Sequence, residues 1–290
     1  MTIHLPNPRL AAAWCSEQRQ LGKTIGYIPT MGALHQGHLS LIQQAASEND
    51  LCCVSIFVNP LQFNDLNDLD TYPQDLDTDI ELLRKAGCHM VYTGTISGFF
   101  PEVEHIGQIE TRDSGPASKG LEGTYRPGHL EGVYQIVERL FATVGTCRAY
   151  FGEKDFQQTL VVKHLAKKMK IDGMGIEVVV CPTVREPSGL AMSSRNTRLS
   201  IKQLETAKLI FQSLSTAKNA WQKGIRIAST LEEIMIDVLD HCELKIEYVA
   251  VRDPNAWTLH RPDHPLNEAQ ALIAAYLGST RLIDNIRLNK

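Results

Sequence analysis

The segment Pro29-Thr30-Met31-Gly32-Ala33-Leu34-His35-Gln36-Gly37-His38 sets two imidazoles three residues apart, directly after the apolar run 25–28. The run reads as a buried strand, the glycine-bearing stretch as a turn, and the histidines as the opening of a helix. Gly32 and Gly37 lack a Cβ, so the backbone there can bend sharply and come close to a ligand. A helix N-terminus offers N–H groups and the positive end of a dipole, which suits phosphate. Two imidazoles on a first turn can both reach a polyphosphate, so the segment points to nucleotide activation. It is not a zinc-protease motif, because Gln36 stands where His-Glu-x-x-His needs Glu. Taken alone, the pair also fits histidines that only cap a helix or face solvent. Gly22-Lys23-Thr24 imitates the end of a P-loop, but Glu17 occupies the place of its first glycine and the tripeptide precedes a strand. It reads as an ordinary turn.

Three further segments carry groups of the same kind. In Phe57-Val58-Asn59-Pro60-Leu61-Gln62-Phe63, the amides of Asn59 and Gln62 offer donor and acceptor together, which suits a hydroxy acid. The plainer reading is a turn in which Pro60 ends a strand. In Phe151-Gly152-Glu153-Lys154-Asp155-Phe156-Gln157-Gln158, Gly152 admits close approach and Lys154 is a compact cation for phosphate oxygens. Gln158 then falls one turn into a helix, and Asp155 is an alternative N-cap. In Gly189-Leu190-Ala191-Met192-Ser193-Ser194-Arg195-Asn196, two hydroxyls stand beside a permanently charged guanidinium. Arg195 could neutralise charge that builds up on phosphates during transfer, although the segment alone would pass for a surface turn.

The elements that must position these groups follow from hydrophobic patterning. Apolar runs at 25–28, 51–58, 88–92, 147–151 and 176–182 read as strands. Helical spacing covers 38–48, 74–86 with Gly87 as a C′ stop, 130–145, and 155–169 ending in Lys167 and Lys168. Non-alternating strands separated by amphipathic helices predict an α/β fold: a Rossmann-like, doubly wound parallel sheet. Such sheets bind ligands beyond the carboxyl ends of their strands, where segment 29–38 falls. Composition changes after Thr183. Ser200 and Gln203 form a capping box for a helix over 201–222, a second helix covers 229–241, and β-like runs follow at 245–251, 270–277 and 281–288. The expected domains are therefore 1–183 and a smaller C-terminal α+β domain, 184–290. The Gly-, Ser- and Pro-rich stretch 107–128 reads as the least ordered part.

The 290 residues are 43% hydrophobic and 21% charged with a net charge of −4, which predicts a soluble enzyme without a basic nucleic-acid footprint. No apolar run approaches the roughly 20 residues of a membrane helix. Met1-Thr2-Ile3-His4-Leu5-Pro6 lacks the blocks of a signal peptide, so a cytoplasmic chain is expected. Seven cysteines, Cys242 among them, show no Cys-x-x-Cys spacing; Cys52, Cys53, Cys88 and Cys181 lie in or beside strand-like runs. They read as buried, reduced thiols.

Blocks 29–38, 57–63, 152–158 and 192–196 together resemble the signature blocks of the pantothenate synthetase (pantoate–β-alanine ligase) family. So do Leu121-Glu122-Gly123, Arg126-Pro127-Gly128-His129, Leu277-Gly278 and Arg281-Leu282-Ile283-Asp284-Asn285, in the same order from about residue 20 to 286. The family belongs to the cytidylyltransferase-like superfamily, whose His-x-Gly-His signature and mobile serine-and-basic loop the chain resembles. The resemblance implies ligation of (R)-pantoate to β-alanine through a pantoyl adenylate, with ATP as substrate and AMP, pyrophosphate and pantothenate as products. It also implies Mg2+ with the ATP and a cytoplasmic homodimer.

Carried onto this sequence, Met31, Gly32, Ala33, Leu34, His35, Gln36, Gly37 and His38 would line the ATP site, with His38 as the acid and His35 beside it. Gln62 and Gln158 would grip pantoate, with Gln62 also facing β-alanine and Asn59 joining the substrate set. Gly152, Glu153, Lys154 and Asp155 would hold ribose and phosphates, Lys154 touching the transferring group. Val184 would meet adenine through its backbone, and Met192, Ser193, Ser194 and Arg195 would close over the triphosphate. Domain 1–183 would then take nucleotide and pantoate, and 184–290 would be lid-like. No magnesium ligand is assigned; Asp79 is the one candidate, although an acidic residue on a helix is usually just solvated. Leu61, Gln74, Glu131 and Ser188 depart from the family's common residues, and Glu131 would weaken attraction of anions. Two other readings stay open: another adenylyltransferase of the superfamily, and a non-catalytic nucleotide-binding protein. A tRNA synthetase would need a basic RNA-binding domain, and 184–290 carries no such charge excess.

Overall fold

A computed structural model describes residues 2–240 and 243–289. Cys242, and the last residue of the helix expected over 229–241, lie outside the described residues. The chain forms two compact units: the first comprises the chain up to Ser118, Arg126–Gly152 and Gln157–Pro182, and the second Lys119–Tyr125, Glu153–Phe156 and the chain from Thr183 onward.

In the first unit the main elements run β1 (Ile3–Leu5), α1 (Pro8–Gln20), β2 (Ile25–Thr30), α2 (Gln36–Glu48), β3 (Leu51–Ile56), α3 (Leu76–Lys85) and β4 (Met90–Thr93). They continue with α4 (His129–Val144), β5 (Cys147–Gly152), α5 (Phe156–Ile171) and β6 (Ile176–Cys181). Among the described residues the strands make one parallel sheet in the order β1-β4-β3-β2-β5-β6. From β2 the chain builds outward to β3 and β4, then returns to place β5 on β2's other side. That reversal between β2 and β5 is the switch point at which open sheets take ligands. Segment 31–38 leaves the carboxyl end of β2, segment 57–63 that of β3, and Gly152 ends β5.

Both faces of the sheet are covered, as strands without alternation require. On one face Ile28, Cys52, Val54, Val91 and Tyr150 pack with Leu41, Ile42 and Ala45 of α2 and Leu83 of α3. On the other, Tyr27 stacks on Tyr92 at 6.3 Å and meets Phe141 of α4 edge-on at 6.5 Å. The buried Tyr27 hydroxyl pairs with Ser55 at 2.7 Å and Tyr92 at 3.0 Å, so no polar atom of this trio lacks a partner. β1 and α1 are additions to the sequence reading. Pro8 opens α1, and the Asn7 side chain accepts the Leu10 N–H at 3.0 Å, a standard N-cap. Cys15, Cys52, Cys53, Cys88, Cys147 and Cys181 are all free and buried.

The second unit contains α6 (Ile201–Gln222), α7 (Ala228–Leu239) and an antiparallel sheet of β7 (Lys245–Arg252), β8 (Gln270–Leu277) and β9 (Thr280–Arg287). The Ser200–Gln203 capping box forms as expected. Leu214, Trp221, Leu231, Met235, Val251 and Ile273 belong to its core. Lys119–Tyr125 joins this unit through Glu122, only 6% exposed, which receives Arg281 at 2.7 and 3.0 Å and the Tyr248 hydroxyl at 2.7 Å. Stretch 107–128 is consequently more ordered than its composition implied. It carries helical turns at Ile106–Gln108, Pro116–Ser118 and Glu122–Tyr125.

One close approach in the first unit bears on function. A Cβ on Gly132 of α4 would stand 2.2 Å from the Leu61 carbonyl oxygen, so only glycine lets this helix rest on the turn Pro60–Gln62. Gly132→Ala is expected to destabilise the protein by about 1–3 kcal/mol in urea unfolding, the usual cost of overpacking. An unchanged midpoint would show that the turn yields without cost.

Candidate active site

The loop after β2 owes its shape to one buried carboxylate. Gly32 at φ +81° and Ala33 at φ +50° are both left-handed. For alanine that conformation costs roughly 1–2 kcal/mol. Asp79 of α3 offsets it: Oδ2 accepts the Ala33 N–H and Oδ1 the Leu34 N–H, each at 2.9 Å. Hydrogen bonds to a charged group contribute about 1.5–3 kcal/mol apiece, so the pair outweighs the strain. A Cβ at position 32 would lie 2.7 Å from Asp79 Oδ2, so glycine is what lets the carboxylate in. Asp79 is 3% exposed, which corrects the reading of it as solvated. Burial pushes its carboxyl above the ordinary aspartate range, against the pull of the two N–H groups.

The histidines complete a reciprocal cap. His35 is the N-cap of α2, and its Nδ1 accepts the Gly37 N–H at 3.1 Å. His38 Nδ1 accepts the His35 N–H at 3.4 Å, and the ring centroids stand 4.1 Å apart. A neutral imidazole that accepts at Nδ1 carries its proton on Nε2. Capping and function are thus not alternatives here. The cap sets the tautomer, and each ring has an Nε2–H donor.

Gln62 is held from three sides. The Asn59 Nδ2 donates to Gln62 Oε1 at 3.0 Å and to the Gly132 carbonyl at 3.1 Å, while its Oδ1 accepts the Leu61 N–H at 3.3 Å. Gln62 Nε2 in turn donates to Met31 Sδ at 3.1 Å, joining the loops after β2 and β3. The Gln62 carbonyl accepts from His129 Nδ1 at 2.8 Å and Arg126 Nη2 at 3.4 Å. Arg126 Nη1 donates to His129 Nε2 at 2.9 Å, so the proton of this imidazole sits on Nδ1. Asn59 is 1% exposed, and its amide is engaged in orienting Gln62. Gln158 lies in the first turn of α5, half-buried. That helix continues to Ile171, with Lys168 and Lys170 in its last turn. Glu131 sits in the first turn of α4, where the helix dipole favours a negative charge.

The second unit holds the remaining predicted groups. Glu153–Asp155 make a single 3-10 turn in which Lys154 Nζ lies 3.4 Å from Asp155 Oδ1. In segment 192–195, the Met192 N–H donates to the Val184 carbonyl at 3.0 Å, and Ser193 Oγ accepts the Arg195 N–H at 3.3 Å. Ser193 thereby caps the short helix Ser194–Arg198. Arg185 anchors the base of this segment. It binds Asp284 through both Nη atoms, at 2.5 and 2.9 Å, reaches the Gly189 carbonyl at 3.0 Å, and covers the Phe211 ring at 4.2 Å.

The residues that sequence reasoning did not assign are positioning groups: Asp79, Arg126, His129 and Arg185. Arg126 and His129 stood in a recognised block, whereas nothing local marks Asp79, because its partners lie 45 and 46 residues away. Among the described residues no three His, Cys, Asp or Glu side chains gather as a metal site. No described helix is long and apolar enough to cross a membrane.

A family model described as "Pantoate-beta-alanine ligase" matches residues 6–287 of the chain. The pantothenate synthetase of Phocaeicola vulgatus is 42% identical over 269 residues, covering 93% of each chain. That of Rhodopirellula baltica is 42% identical over 276 residues, covering 95% of each. A crystal structure of pantothenate synthetase from Thermus thermophilus matches with a TM-score of 0.86 at 35% identity, covering 98% of this chain and 99% of that one. A pantoate-beta-alanine ligase from Francisella tularensis, solved with beta-gamma ATP and β-alanine, matches with a TM-score of 0.78 at 33% identity, covering 100% and 99%.

Asp79→Asn would keep the shape at the Gly32–Ala33 turn but set an amide donor against a backbone N–H. Losing one charge-assisted bond should speed hydrogen exchange at Ala33 or Leu34 by roughly 10- to 100-fold. Unchanged protection at both amides would show that the carboxylate does not hold the loop.

Proposed function

The chain belongs to the pantoate–β-alanine ligase family, and from that premise we propose that it joins (R)-pantoate to β-alanine at the expense of ATP, through a pantoyl adenylate. The observation that carries the site assignment is the reciprocal cap of His35 and His38 at the carboxyl end of β2, beside the switch point. It presents two neutral Nε2–H donors where a parallel sheet takes its ligand. The ATP and β-alanine named for the Francisella tularensis structure support the choice of substrates.

The chemical problem is that a carboxylate resists attack by an amine, because oxide would have to leave. Adenylation replaces oxide with AMP as leaving group. A pantoate carboxylate oxygen attacks the α-phosphate in line and pyrophosphate departs. His38 and His35 donate to the phosphate oxygens that gain charge, His38 acting as the acid. Lys154 meets the transferring group, and Arg195 with Met192, Ser193 and Ser194 covers the triphosphate. Met31, Gly32, Ala33, Leu34, Gln36 and Gly37 line the nucleotide, with Gly152, Glu153 and Asp155 at ribose and phosphates and the Val184 backbone at adenine. The neutral amine of β-alanine then attacks the acyl carbon and AMP leaves, with no covalent bond to the enzyme. Gln62 and Gln158 hold pantoate, Gln62 also faces β-alanine, and Asn59 acts by orienting Gln62. Correct placement supplies at most about 7–11 kcal/mol, so positioning matters beside charge stabilisation.

Asp79 is engaged by amides and among the described residues no three His, Cys, Asp or Glu side chains gather, so Mg2+ would arrive on the nucleotide, with phosphates and water as most of its ligands. Bound there, Mg2+ would neutralise charge on the pyrophosphate. We extend the proposal to a cytoplasmic homodimer, with 1–183 taking nucleotide and pantoate and 184–290 as the lid-like domain; the family resemblance supports these points.

Incubation with ATP, pantoate and β-alanine, each omitted in turn, should give pantothenate and AMP only when all three are present. Product without β-alanine would favour an adenylyltransferase, and absence of AMP a non-catalytic protein. Lys154→Ala should slow single-turnover formation of pantoyl adenylate by on the order of 100- to 1000-fold with the fold intact; a normal rate would take Lys154 out of the mechanism. His38→Ala should impair the same half-reaction, and a defect confined to the amine step would contradict its role.

A further inference from the structure

Block 281–285 ends in Asp284-Asn285, and the mechanism above gives neither residue a task. Asn285 lies on β9 and is 3% exposed. Its Nδ2 donates to two backbone carbonyls, Glu153 at 2.9 Å and Lys154 at 2.8 Å. Its Oδ1 accepts from Gln270 Nε2 at 2.6 Å, which fixes the carboxamide with nitrogen toward the turn and oxygen toward β8. Next to it, Asp284 binds Arg185, the base of segment 186–196, and accepts the Asn285 N–H at 2.7 Å.

We propose that Asn285 is a positioning residue for the reaction: by holding the carbonyls of Glu153 and Lys154 it sets the direction in which the Lys154 ammonium leaves the backbone. The inference rests on the reading that Lys154 meets the transferring phosphate. The turn is only three residues long, and its lysine ends on a long, flexible stem. The ammonium lies 3.4 Å from Asp155 Oδ1, a contact within the same turn that cannot orient the turn itself. Both donors of one buried amide do so instead. A carboxylate at position 285 would have the same shape but would set oxygen against two carbonyl oxygens. The β8–β9 ladder pairs backbone groups along its whole length, so the side chain of Asn285 is not needed to build the sheet.

The test is a double-mutant cycle on the full chain. Asn285→Ala and Asn285→Asp should each lower the single-turnover rate of adenylate formation by roughly 10- to 100-fold, with KM for ATP shifting by less than about threefold. Added to Lys154→Ala, Asn285→Ala should cost less than about twofold more, because the group it aims is already gone. The same loss in both backgrounds, or a rise in KM with kcat unchanged, would overturn the proposal. A normal rate in Lys154→Ala alone would remove the premise and the inference with it, and is read separately. If thermal unfolding shows that the Asn285 variants do not fold, Gln270→Leu removes only the donor that orients the amide. It should give a smaller loss that again vanishes beside Lys154→Ala, and a loss that persists there would count against the proposal.

Discussion

The bonds from Asp79 to the amides of Ala33 and Leu34 are the interaction on which the first unit's chemistry depends. They keep two consecutive residues left-handed directly after β2. That bend brings His35 to the N-cap of α2, where its ring accepts one amide and its own N–H meets His38. A carboxylate buried this deeply is costly unless its oxygens are satisfied, and here the partners are the amides whose conformation needs support. The two hydrogen bonds are the favourable term that offsets both the backbone strain and the desolvation of the carboxylate.

A similar arrangement recurs behind two of the long side chains proposed to meet substrate. Gln62 and Lys154 end in flexible stems that would lose considerable entropy on ordering. Each is backed by a buried polar group acting on its backbone or its amide: Asn59 and His129 for Gln62, Asn285 for Lys154. The backing groups are shorter or stiffer and fully enclosed, so their entropy is lost on folding and not again during each turnover. Glycine serves the same end at Gly132, where helix and turn meet more closely than any side chain would allow.

For an acyl adenylate this matters, because no covalent anchor holds the intermediate between its two steps. Placement of the amine and exclusion of water then decide whether pantothenate or wasted hydrolysis results. Fixed tautomers contribute in the same way. The cap bonds at Nδ1 of His35 and His38 place their protons on Nε2, and in the proposed reaction these donors would need no reorganisation as charge develops on the phosphates.

Much of this protein was legible in its sequence. The helix over 201–222 and the strand over 270–277 form with the expected limits, and the parallel sheet follows from non-alternating apolar runs between amphipathic helices. Block order alone was sufficient for the family. These signals are local: periodicity and caps act within a few residues of themselves. β1 escaped notice because three residues carry no periodicity. Asp79 looked like a solvated helix residue because the amides that engage it lie 45 and 46 residues away, and the Gly132 carbonyl that takes the Asn59 amide lies 73 residues away. Asn285 reaches its turn across 131 residues. Residue types therefore determined which chemistry was available. Only the crossing of distant segments decided which polar groups remain for substrate and which are used to aim them, since a buried donor must find its acceptor wherever the fold brings one.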